Sequence, residues 1–323
     1  YIGDQTGVYQ ALERLGPCSH KKLSEEANVD ERYLREWLSS NAAMGYVTYD
    51  ATEDEFSLSP EQAALFSHEG EPTCMQGFFQ AVVGQFATHE LAIDTFKTGS
   101  GRAWSDHHSC RFCGTDRFFK PGYAANLTSD WIPALTGIEA KLLKGAKIAD
   151  VGCGLGSSSI LMAKAYPNSE VWGFDFHAPS IAKATQSAER EKLTNVSFFE
   201  VLAKKLPGND YDLVCIFDAL HDMGDPVGAA KQIKSVLKPG GTFMVVEPLA
   251  GDSLEENINL LSGIMYGFST TICVPVSRSQ EVGLCLGAQA GEKRISEVLK
   301  EAGFSKIKRV AETPNNMVLE AIA

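Results

Sequence analysis

From about residue 145 onward, short apolar runs alternate with segments that predict helices. The runs KIADVGC, EVWGFDF, VSFFEVL, YDLVCIFD and GTFMVVEP are rich in Val, Ile and Phe and are bounded by turn formers, which is typical of strands. Between them lie SSSILMAKAY, PSIAKATQSAEREK and PVGAAKQIKSVLK. The last of these ends in Lys-Pro-Gly-Gly, a helix stop followed by a turn. This β/α alternation predicts an α/β fold with a doubly wound, parallel sheet.

Two further strands are predicted at the end of the chain, KIKRVAET and MVLEAIA, which brings the sheet to seven strands. Only Pro314-Asn315-Asn316 separates them, and so short a connection is a hairpin turn. One late strand should therefore run antiparallel to the rest, and the seven-stranded sheet should be mostly parallel.

The first 70 residues have a different pattern. LSEEA and DERYLREWLSSNAAMG predict helices, the second with Asp30 as its N-cap, and YVTYDATEDEFSLS predicts two strands joined by a polar tip. Helix, helix and β-ribbon together outline a winged helix. We therefore expect a winged-helix domain over 1–70, a helical connector over 71–125, and the sheet domain over 126–323.

Composition narrows the class of protein. A chain of 323 residues with 44% hydrophobic and 22% charged residues is typical of a soluble globular protein. No uninterrupted apolar run approaches the ~18 residues that span a membrane, and YIGDQTGVYQ does not have the pattern of a secretory signal. The net charge of −12 disfavours nucleic acid and acidic membranes and favours a small-molecule partner. Most of the eight cysteines lie in apolar strings, which suits reduced thiols in the cytoplasm.

A glycine-rich loop follows the first strand of the sheet domain. Gly152, Gly154 and Gly156 lie between KIADV and the helix SSSILMAKAY, where bare backbone and free helix N–H groups accept a ligand. Asp175 ends the next strand, 19 residues after Gly156, where a carboxylate can accept hydrogen bonds from both hydroxyls of a ribose. The pattern predicts a nucleotide-like ligand rather than a simple tight turn.

Two such ligands are distinguished by the details of the loop. A nicotinamide dinucleotide requires G-x-G-x-x-G, but here the spacing is G-x-G-x-G and Ser157 occupies the third glycine position. Asp150, just before the loop, is awkward beside a pyrophosphate but suits an ammonium or a sulfonium group. The residues therefore favour S-adenosylmethionine over NAD.

The same residues carry a family resemblance. VGCGLGSSS, GFDF, YDLVCIFDALHDMGDP and LKPGGTFMVVEP resemble, in order and spacing, the successive motifs of class I S-adenosylmethionine-dependent methyltransferases over residues ~120 to 323. The whole chain is similar to a subgroup known from mycobacteria in which a winged-helix domain precedes the methyltransferase domain. RFFKPGYAANLTSDWIPAL and SQEVGLCLGAQAGE resemble parts of that subgroup's pattern. The resemblance implies methyl transfer and leaves the acceptor open.

The resemblance also implies roles for individual residues. The glycines would pass the methionine moiety, Asp175 would hold the ribose, Phe176 would lie against the adenine, and Asp218 would face the cofactor from the opposite side. Many members carry an acidic residue after the third strand for the adenine amino group, whereas this chain has Leu202-Ala203-Lys204-Lys205, so a backbone carbonyl could take that role. The implied cofactor-binding set is Asp150, Gly152, Gly154, Gly156, Asp175, Phe176 and Asp218.

The stretch LHDMGDP places His221 and Asp222 at the carboxyl end of strand four. It resembles the LHDW-type motif of winged-helix small-molecule O-methyltransferases, in which the His is the general base, with Met223 where Trp is common. Glu247 falls where that family has a carboxylate that orients the His. Asp222 is a further catalytic candidate. The alternatives are a structural role for His221 and a helix-capping role for Asp222 near Pro226.

Residues 252–290 interrupt the alternation and are expected to help cover the acceptor. Within NLLSGIMYGFSTTICVPVS, Met265, Tyr266, Phe268 and Cys273 are candidate pocket walls, and an ordinary core helix is the alternative. N- and S-methylation remain alternatives to O-methylation at this stage.

The stretch HHSCRFC is a candidate metal site, because His107, His108, Cys110 and Cys113 fall within seven residues. Structural zinc normally draws on two separated pairs of ligands, so we favour loop residues without a metal. Contact of the thiols with a soft substrate is a third interpretation.

A metabolite-sensing DNA-binding regulator is the alternative from another functional class. Residues 1–66 contain five Lys or Arg and twelve Asp or Glu, and the candidate recognition helix balances its two arginines with two glutamates. DNA contact requires a basic face, so the composition argues against it. Tyr33, Leu34, Trp37 and Leu38 suit a buried helix face instead, and the resemblance implies that this domain packs two subunits together as a homodimer.

Overall fold

The computed structural model describes residues 1–323, in two units. One unit consists of residues 1–84 and 109–122, and the other of residues 85–108 and 123–323, so the predicted connector contributes to both. The helices are α1 Ile2–Gln5, α2 Val8–Leu15, α3 His20–Ala27, α4 Glu31–Ala43, α5 Pro60–Phe66, α6 Gln76–Phe86, α7 His89–Thr98, α8 Ser109–Asn126, α9 Ile132–Ala134, α10 Ile138–Lys144, α11 Ser157–Ala165, α12 Ala178–Arg190, α13 Pro226–Val236, α14 Leu260–Phe268, α15 Val274–Arg278 and α16 Gly291–Glu301. The strands are β1 Thr48–Asp50, β2 Glu55–Ser57, β3 Lys147–Val151, β4 Glu170–Asp175, β5 Val196–Glu200, β6 Tyr211–Phe217, β7 Leu237–Pro248, β8 Lys306–Glu312 and β9 Asn316–Ile322.

The first unit contains the predicted winged helix. Helices α3 and α4 precede the antiparallel ribbon of β1 and β2, and Leu12, Leu23 and Leu38 are fully buried between these elements. Sequence analysis missed α2, whose segment VYQALERL buries Val8 and Leu12 on one face. The first unit therefore has a core of its own.

Helix α4 shows which part of the helix-face prediction holds. The side chain of Asp30 accepts a hydrogen bond from the Tyr33 amide at 3.0 Å, which confirms the predicted N-cap. Leu34 and Leu38 are buried, but Tyr33 is 81% exposed, so its predicted burial was wrong. With 3.6 residues per turn, neighbours in sequence point about 100° apart, and Tyr33 falls outside the apolar face.

The second unit is built on a seven-stranded sheet in the order β5-β4-β3-β6-β7-β9-β8. All pairings are parallel except those of β9, which runs antiparallel to both β7 and β8. This confirms the predicted α/β class and the late hairpin. Ile148, Phe174, Ile216 and Phe243 are buried in or beside this sheet. The central strands therefore present their carboxyl ends at one edge, where open α/β sheets bind ligands.

Residues 260–278 form one helical stretch, because a π-helical segment, Ser269–Cys273, joins α14 to α15. By length and composition alone this 19-residue stretch could cross a membrane, and 39% of its most apolar window is buried. No uninterrupted apolar run marked it in the sequence, because Ser and Thr residues break it up. A partly buried helix in the core of a protein has the same length and composition.

Candidate active site

The glycine loop after β3 has the backbone that sequence analysis required. Gly152, Gly154 and Gly156 have φ of +75°, +53° and +83°, a region that L side chains rarely adopt. A Cβ at Gly156 would lie 2.8 Å from the Cβ of Ala184, whereas a Cβ at Gly154 would meet nothing within 4 Å. Gly156 is thus needed for packing, and Gly154 leaves open space for a ligand.

Asp175 lies beside this loop at the end of β4. Its Oδ2 accepts a hydrogen bond from the Gly154 amide at 2.9 Å, and its Oδ1 accepts one from the His177 amide at 2.8 Å. Burial raises the pKa of this carboxyl, against the opposing effect of the two amide donors. The carboxylate is therefore fixed next to the open side of Gly154.

Asp150 lies beneath the loop and is fully buried. One carboxylate oxygen accepts hydrogen bonds from the hydroxyls of Ser158 and Ser159, both at 2.6 Å. Burial raises its pKa to about 6, although the two serines oppose this shift. Asp150 thus ties the loop to the start of α11, and its charge would act on a ligand from below the backbone.

A cavity of about 470 Å³ lies next to Asp175 at the carboxyl ends of β4 and β5. Phe176 is 46% exposed there, and together with Leu202 it offers apolar surface for a planar ring. Glu200 pairs in register with Asp175 and was missed by sequence analysis, although it is the carboxylate that ends VSFFE. The lining residues are Phe176, Glu200, Val201, Leu202 and Lys205.

Asp218 follows β6 with a φ of +49°, unusual for a residue other than glycine. Its carboxylate accepts hydrogen bonds from the Tyr123 hydroxyl and the Asn316 side-chain amide, both at 2.7 Å. Burial and the nearby charge of Glu247 raise its pKa to about 7. Two side-chain donors thus hold this carboxylate at the same sheet edge as the glycine loop.

His221 lies in a short 3₁₀ turn after β6 and is 4% exposed. Its Nδ1 lies 2.5 Å from Oε2 of Glu247, and Oε1 of Glu247 accepts a hydrogen bond from the Leu220 amide at 2.9 Å. With a proton on Nδ1 donated to Glu247, Nε2 is left with its lone pair. The structure therefore brings together His221 and Glu247 as the sequence predicted.

Two carboxylates determine the electrostatics of His221. Burial lowers the pKa of its imidazole, but Glu247 and Asp222 outweigh burial, so the pKa stands well above its usual value. Oδ1 of Asp222 lies 3.3 Å from Nε2. The capping alternative for Asp222 is wrong, because Asp225 caps α13 by accepting a hydrogen bond from the Gly228 amide at 2.8 Å.

Cys273 comes to the same place from the π-helical segment. Its Sγ, a His221 ring nitrogen and an Asp222 carboxylate oxygen all lie within 4.8 Å of one another. Burial raises the pKa of the Cys273 thiol. Among the candidate pocket walls, Met265 is buried in α14 and the Tyr266 hydroxyl lies 3.4 Å from Nδ2 of Asn257. Cys273 was predicted as a pocket wall, and its position beside His221 was not predicted.

The stretch HHSCRFC is divided between the two units. His107 belongs to the second unit, where its Nδ1 lies 3.2 Å and 3.1 Å from the carbonyl oxygens of Ala103 and Trp104. Cys110 belongs to the first unit, where its Sγ lies 3.5 Å from the Tyr1 hydroxyl. These neighbours are protein groups, and they suit residues that hold local structure.

Family comparisons match both parts of the chain. A model described as a methyltransferase domain matches residues 142–303, which is half of the chain. A model described as an Rv2258c-like winged HTH domain matches residues 1–68. The first range contains the glycine loop, Asp175 at the end of β4, Asp218 after β6, and the His221–Glu247 pair.

Individual proteins agree with this assignment. Sterol 24-C-methyltransferase erg6 of Aspergillus fumigatus is 31% identical over 196 residues, which cover 58% of this chain and 49% of that protein. The chain thus spans about half the length of this curated relative.

Two solved structures share the fold. Mitomycin 7-O-methyltransferase MmcR has a TM-score of 0.73 at 18% identity and covers 100% of this chain and 92% of its own. Human N-acetylserotonin methyltransferase in complex with SAM has a TM-score of 0.71 at 15% identity, covering 99% and 92%. The chain therefore belongs to the methyltransferase domain family, and an Rv2258c-like winged HTH domain precedes the methyltransferase domain.

Proposed function

We propose that this enzyme transfers a methyl group from S-adenosylmethionine to a hydroxyl oxygen of a small molecule, with His221 as the general base. The observation that carries the proposal is the buried pair of His221 Nδ1 and Glu247 Oε2, 2.5 Å apart, at the carboxyl end of β6. The glycine loop follows β3, the parallel neighbour of β6, so both lie at one sheet edge.

The cofactor supplies a methyl group already activated on a positive sulfonium. The open space at Gly154 would take its methionine moiety, Asp175 its ribose hydroxyls, and the cavity beside Phe176 its adenine. In this assignment Glu200 takes the place of the acidic residue that sequence analysis found missing. The carboxylates of Asp150 and Asp218 favour a cation at this edge, because opposite charges attract strongly where water is scarce.

His221 would accept the acceptor's proton at Nε2, while Glu247 holds the ring through Nδ1. A positive sulfonium nearby disfavours a second positive charge on the imidazole. Cofactor binding should therefore lower the pKa of His221 and favour the neutral ring. The Leu220 amide holds Glu247 in turn, so the base sits in a fixed geometry.

The base favours oxygen over nitrogen as the acceptor atom. A neutral amine attacks without prior loss of a proton, whereas a phenol-like hydroxyl gains greatly from a positioned base. Of the similar structures, the names of mitomycin 7-O-methyltransferase and N-acetylserotonin methyltransferase describe small-molecule acceptors of those proteins. We expect the insertion over 252–290 to cover the acceptor here.

An acceptor screen tests this function. Protein is incubated with S-adenosylmethionine and a library of phenols, amines and thiols, and both S-adenosylhomocysteine and methylated product are measured by mass spectrometry. We expect products methylated on oxygen, each formed together with an equal amount of S-adenosylhomocysteine. Products methylated only on nitrogen or sulfur would contradict O-methylation and leave the family assignment intact.

The regulator alternative gains no support from helix α4. Nη2 of Arg32 lies 2.5 Å from Oε1 of Glu36, so one of its two arginines is already paired with a carboxylate. Arg14 is paired in the same way with Glu26, at 2.5 Å. Two of the five basic residues in 1–66 are thus already paired with carboxylates, which disfavours their contact with DNA phosphates.

A homodimer is the second part of the proposal, and helix α7 supports it. None of the residues of α7 is buried, and Leu91, Ile93 and Phe96 are exposed, as is Phe86 just before it. A ten-residue helix is marginal in water unless an apolar face is covered. We propose that a second copy of the chain covers this face.

The buried thiols Cys153, Cys215 and Cys273 suit a reducing cytoplasm as the location.

The double substitution Phe86→Glu with Phe96→Glu is expected to convert the dimer to a monomer. Light scattering should give twice the chain mass of 35.0 kDa for the wild type and the single mass for the variant. Tyr33→Glu, on the exposed side of α4, is the matched control and should remain dimeric. A wild-type monomer, or a monomer produced only by Tyr33→Glu, would exclude the α7 interface.

A further inference from the structure

A cluster of three potential metal ligands lies at the acceptor side of the proposed base. It consists of a ring nitrogen of His221, a carboxylate oxygen of Asp222 and Sγ of Cys273, all within 4.8 Å of one another, and Nε2 of His221 is the nitrogen that lies 3.3 Å from Asp222. His221 and Cys273 are buried, and Asp222 is partly buried. Two separate elements, the turn after β6 and the π-helical segment Ser269–Cys273, bring these side chains together.

We propose that His221, Asp222 and Cys273 form a binding site for a thiophilic divalent metal ion, with zinc as the best match. An imidazole nitrogen, a carboxylate oxygen and a thiolate are the three ligand types that zinc uses. Three protein ligands leave one tetrahedral position open, which is the arrangement of zinc sites that also accept an exogenous ligand. Such an ion is not part of S-adenosylmethionine, and it has no role in the proposed proton transfer.

Glu247 orients the metal-binding ring of His221 through the other ring nitrogen, Nδ1. Histidines that bind metals usually donate the other ring N–H to a carboxylate, which fixes the ring and raises its basicity. The 2.5 Å contact between Nδ1 of His221 and Oε2 of Glu247 is this arrangement, and it directs the lone pair of Nε2 at the cluster. Glu247 is itself held by the Leu220 amide.

The charge around His221 and the backbone geometry at Cys273 also favour a metal site. The carboxylates of Asp222 and Glu247 flank one imidazole in a site with little exposure to water, and a divalent ion would balance this negative charge. Oδ1 of Asp222 is buried and lies 3.3 Å from Nε2 of His221. Single π-helical turns are rare and occur often at functional sites, and here one ends at Cys273.

The ion would occupy the lone pair of Nε2 that proton acceptance requires. This consequence rests on the proposed function: zinc should inhibit methyl transfer, and a chelator should reverse the inhibition. Binding of the ion does not rest on it, because the three ligands are present whatever the acceptor. Metal binding is therefore measured first, without turnover.

Cobalt(II) titration of the full chain, purified with a chelator and then freed of it, tests the site. Wild-type protein should bind one cobalt ion per chain and develop the near-ultraviolet sulfur-to-cobalt charge-transfer band. Cys273→Ser should abolish the band, and Asp222→Asn should keep it while weakening cobalt affinity at least tenfold. The Cys110→Ser/Cys113→Ser double variant should bind as the wild type does. Zinc should displace the cobalt.

Circular dichroism of each variant and calorimetric titration of the same samples with S-adenosylhomocysteine serve as controls. Folded wild-type protein that binds S-adenosylhomocysteine but shows no charge-transfer band would overturn the metal site alone. A band that persists in Cys273→Ser, or disappears in the Cys110→Ser/Cys113→Ser variant, would also overturn it. Failure to bind S-adenosylhomocysteine would count against the proposed function and leave the metal result standing.

Discussion

Replacing His221 with Ala is expected to lower the turnover number by about 10²- to 10⁴-fold, the usual contribution of a positioned general base. The effect should fall on turnover because the imidazole acts on the acceptor's proton. Affinity for S-adenosylhomocysteine should change less than threefold (about 0.6 kcal/mol), since the residues assigned to its ribose and adenine, Asp175, Phe176 and Glu200, lie at the carboxyl ends of β4 and β5. Initial rates with the best acceptor from the screen, together with calorimetry, give both quantities.

Two variants separate a catalytic His221 from a structural one. Glu247→Gln keeps an oxygen for the Leu220 amide but removes the charge beside Nδ1, so turnover should fall by less than in His221→Ala. His108→Ala, at an exposed histidine, should leave turnover unchanged. If His221→Ala is folded and turns over within a few fold of the wild type, the base assignment is wrong and the histidine is structural.

The second large effect is expected for Asp175→Ala, which should weaken S-adenosylhomocysteine binding by at least about 100-fold. Two hydrogen bonds from ribose hydroxyls to a charged group are worth about 1.5 to 3 kcal/mol each, and each 1.4 kcal/mol is tenfold in affinity. The substitution also releases the Gly154 amide, which the carboxylate holds at 2.9 Å. Asp175→Asn keeps one acceptor oxygen, so its affinity for S-adenosylhomocysteine should lie between those of the wild type and Asp175→Ala.

Asp212→Ala is the matched control for this experiment. Asp212 and Asp175 are both 8% exposed, but Asp212 lies at the start of β6, at the opposite edge of the sheet, where it accepts a hydrogen bond from the Lys147 amide. Calorimetry on Asp212→Ala should give wild-type affinity once circular dichroism shows that it is folded. Equal losses in the two variants would mean that Asp175 acts through stability rather than through the ribose.

The central strands of the sheet domain could be predicted closely from the sequence because they are buried on both faces. Such strands, like YDLVCIFD, are almost uninterrupted apolar runs between turn formers, and each ends where a ligand-binding loop begins. The glycine loop was also predictable, since three positive φ values leave few residues other than glycine. Asp175 was predictable as well, because it ends the apolar strand EVWGFD.

Features that depend on tertiary contacts were harder to predict. Cys273 lies near His221 at the end of a π-helical segment, and no local pattern in the sequence indicates such a segment. Glu200 could not be placed from the sequence, because its position beside Asp175 depends on the pairing register of β4 and β5. Helix α2 is short and draws its stability from packing against the rest of the winged helix, where Leu12 is fully buried.

A crystal structure of the protein with S-adenosylhomocysteine would show where the cofactor lies. We expect the ribose hydroxyls within hydrogen-bond distance of the Asp175 carboxylate, the thioether sulfur beside Gly154, and the adenine against Phe176. Electron density for the ligand at any other place, or none in crystals of protein saturated with it, would mean that these residues do not form the cofactor site.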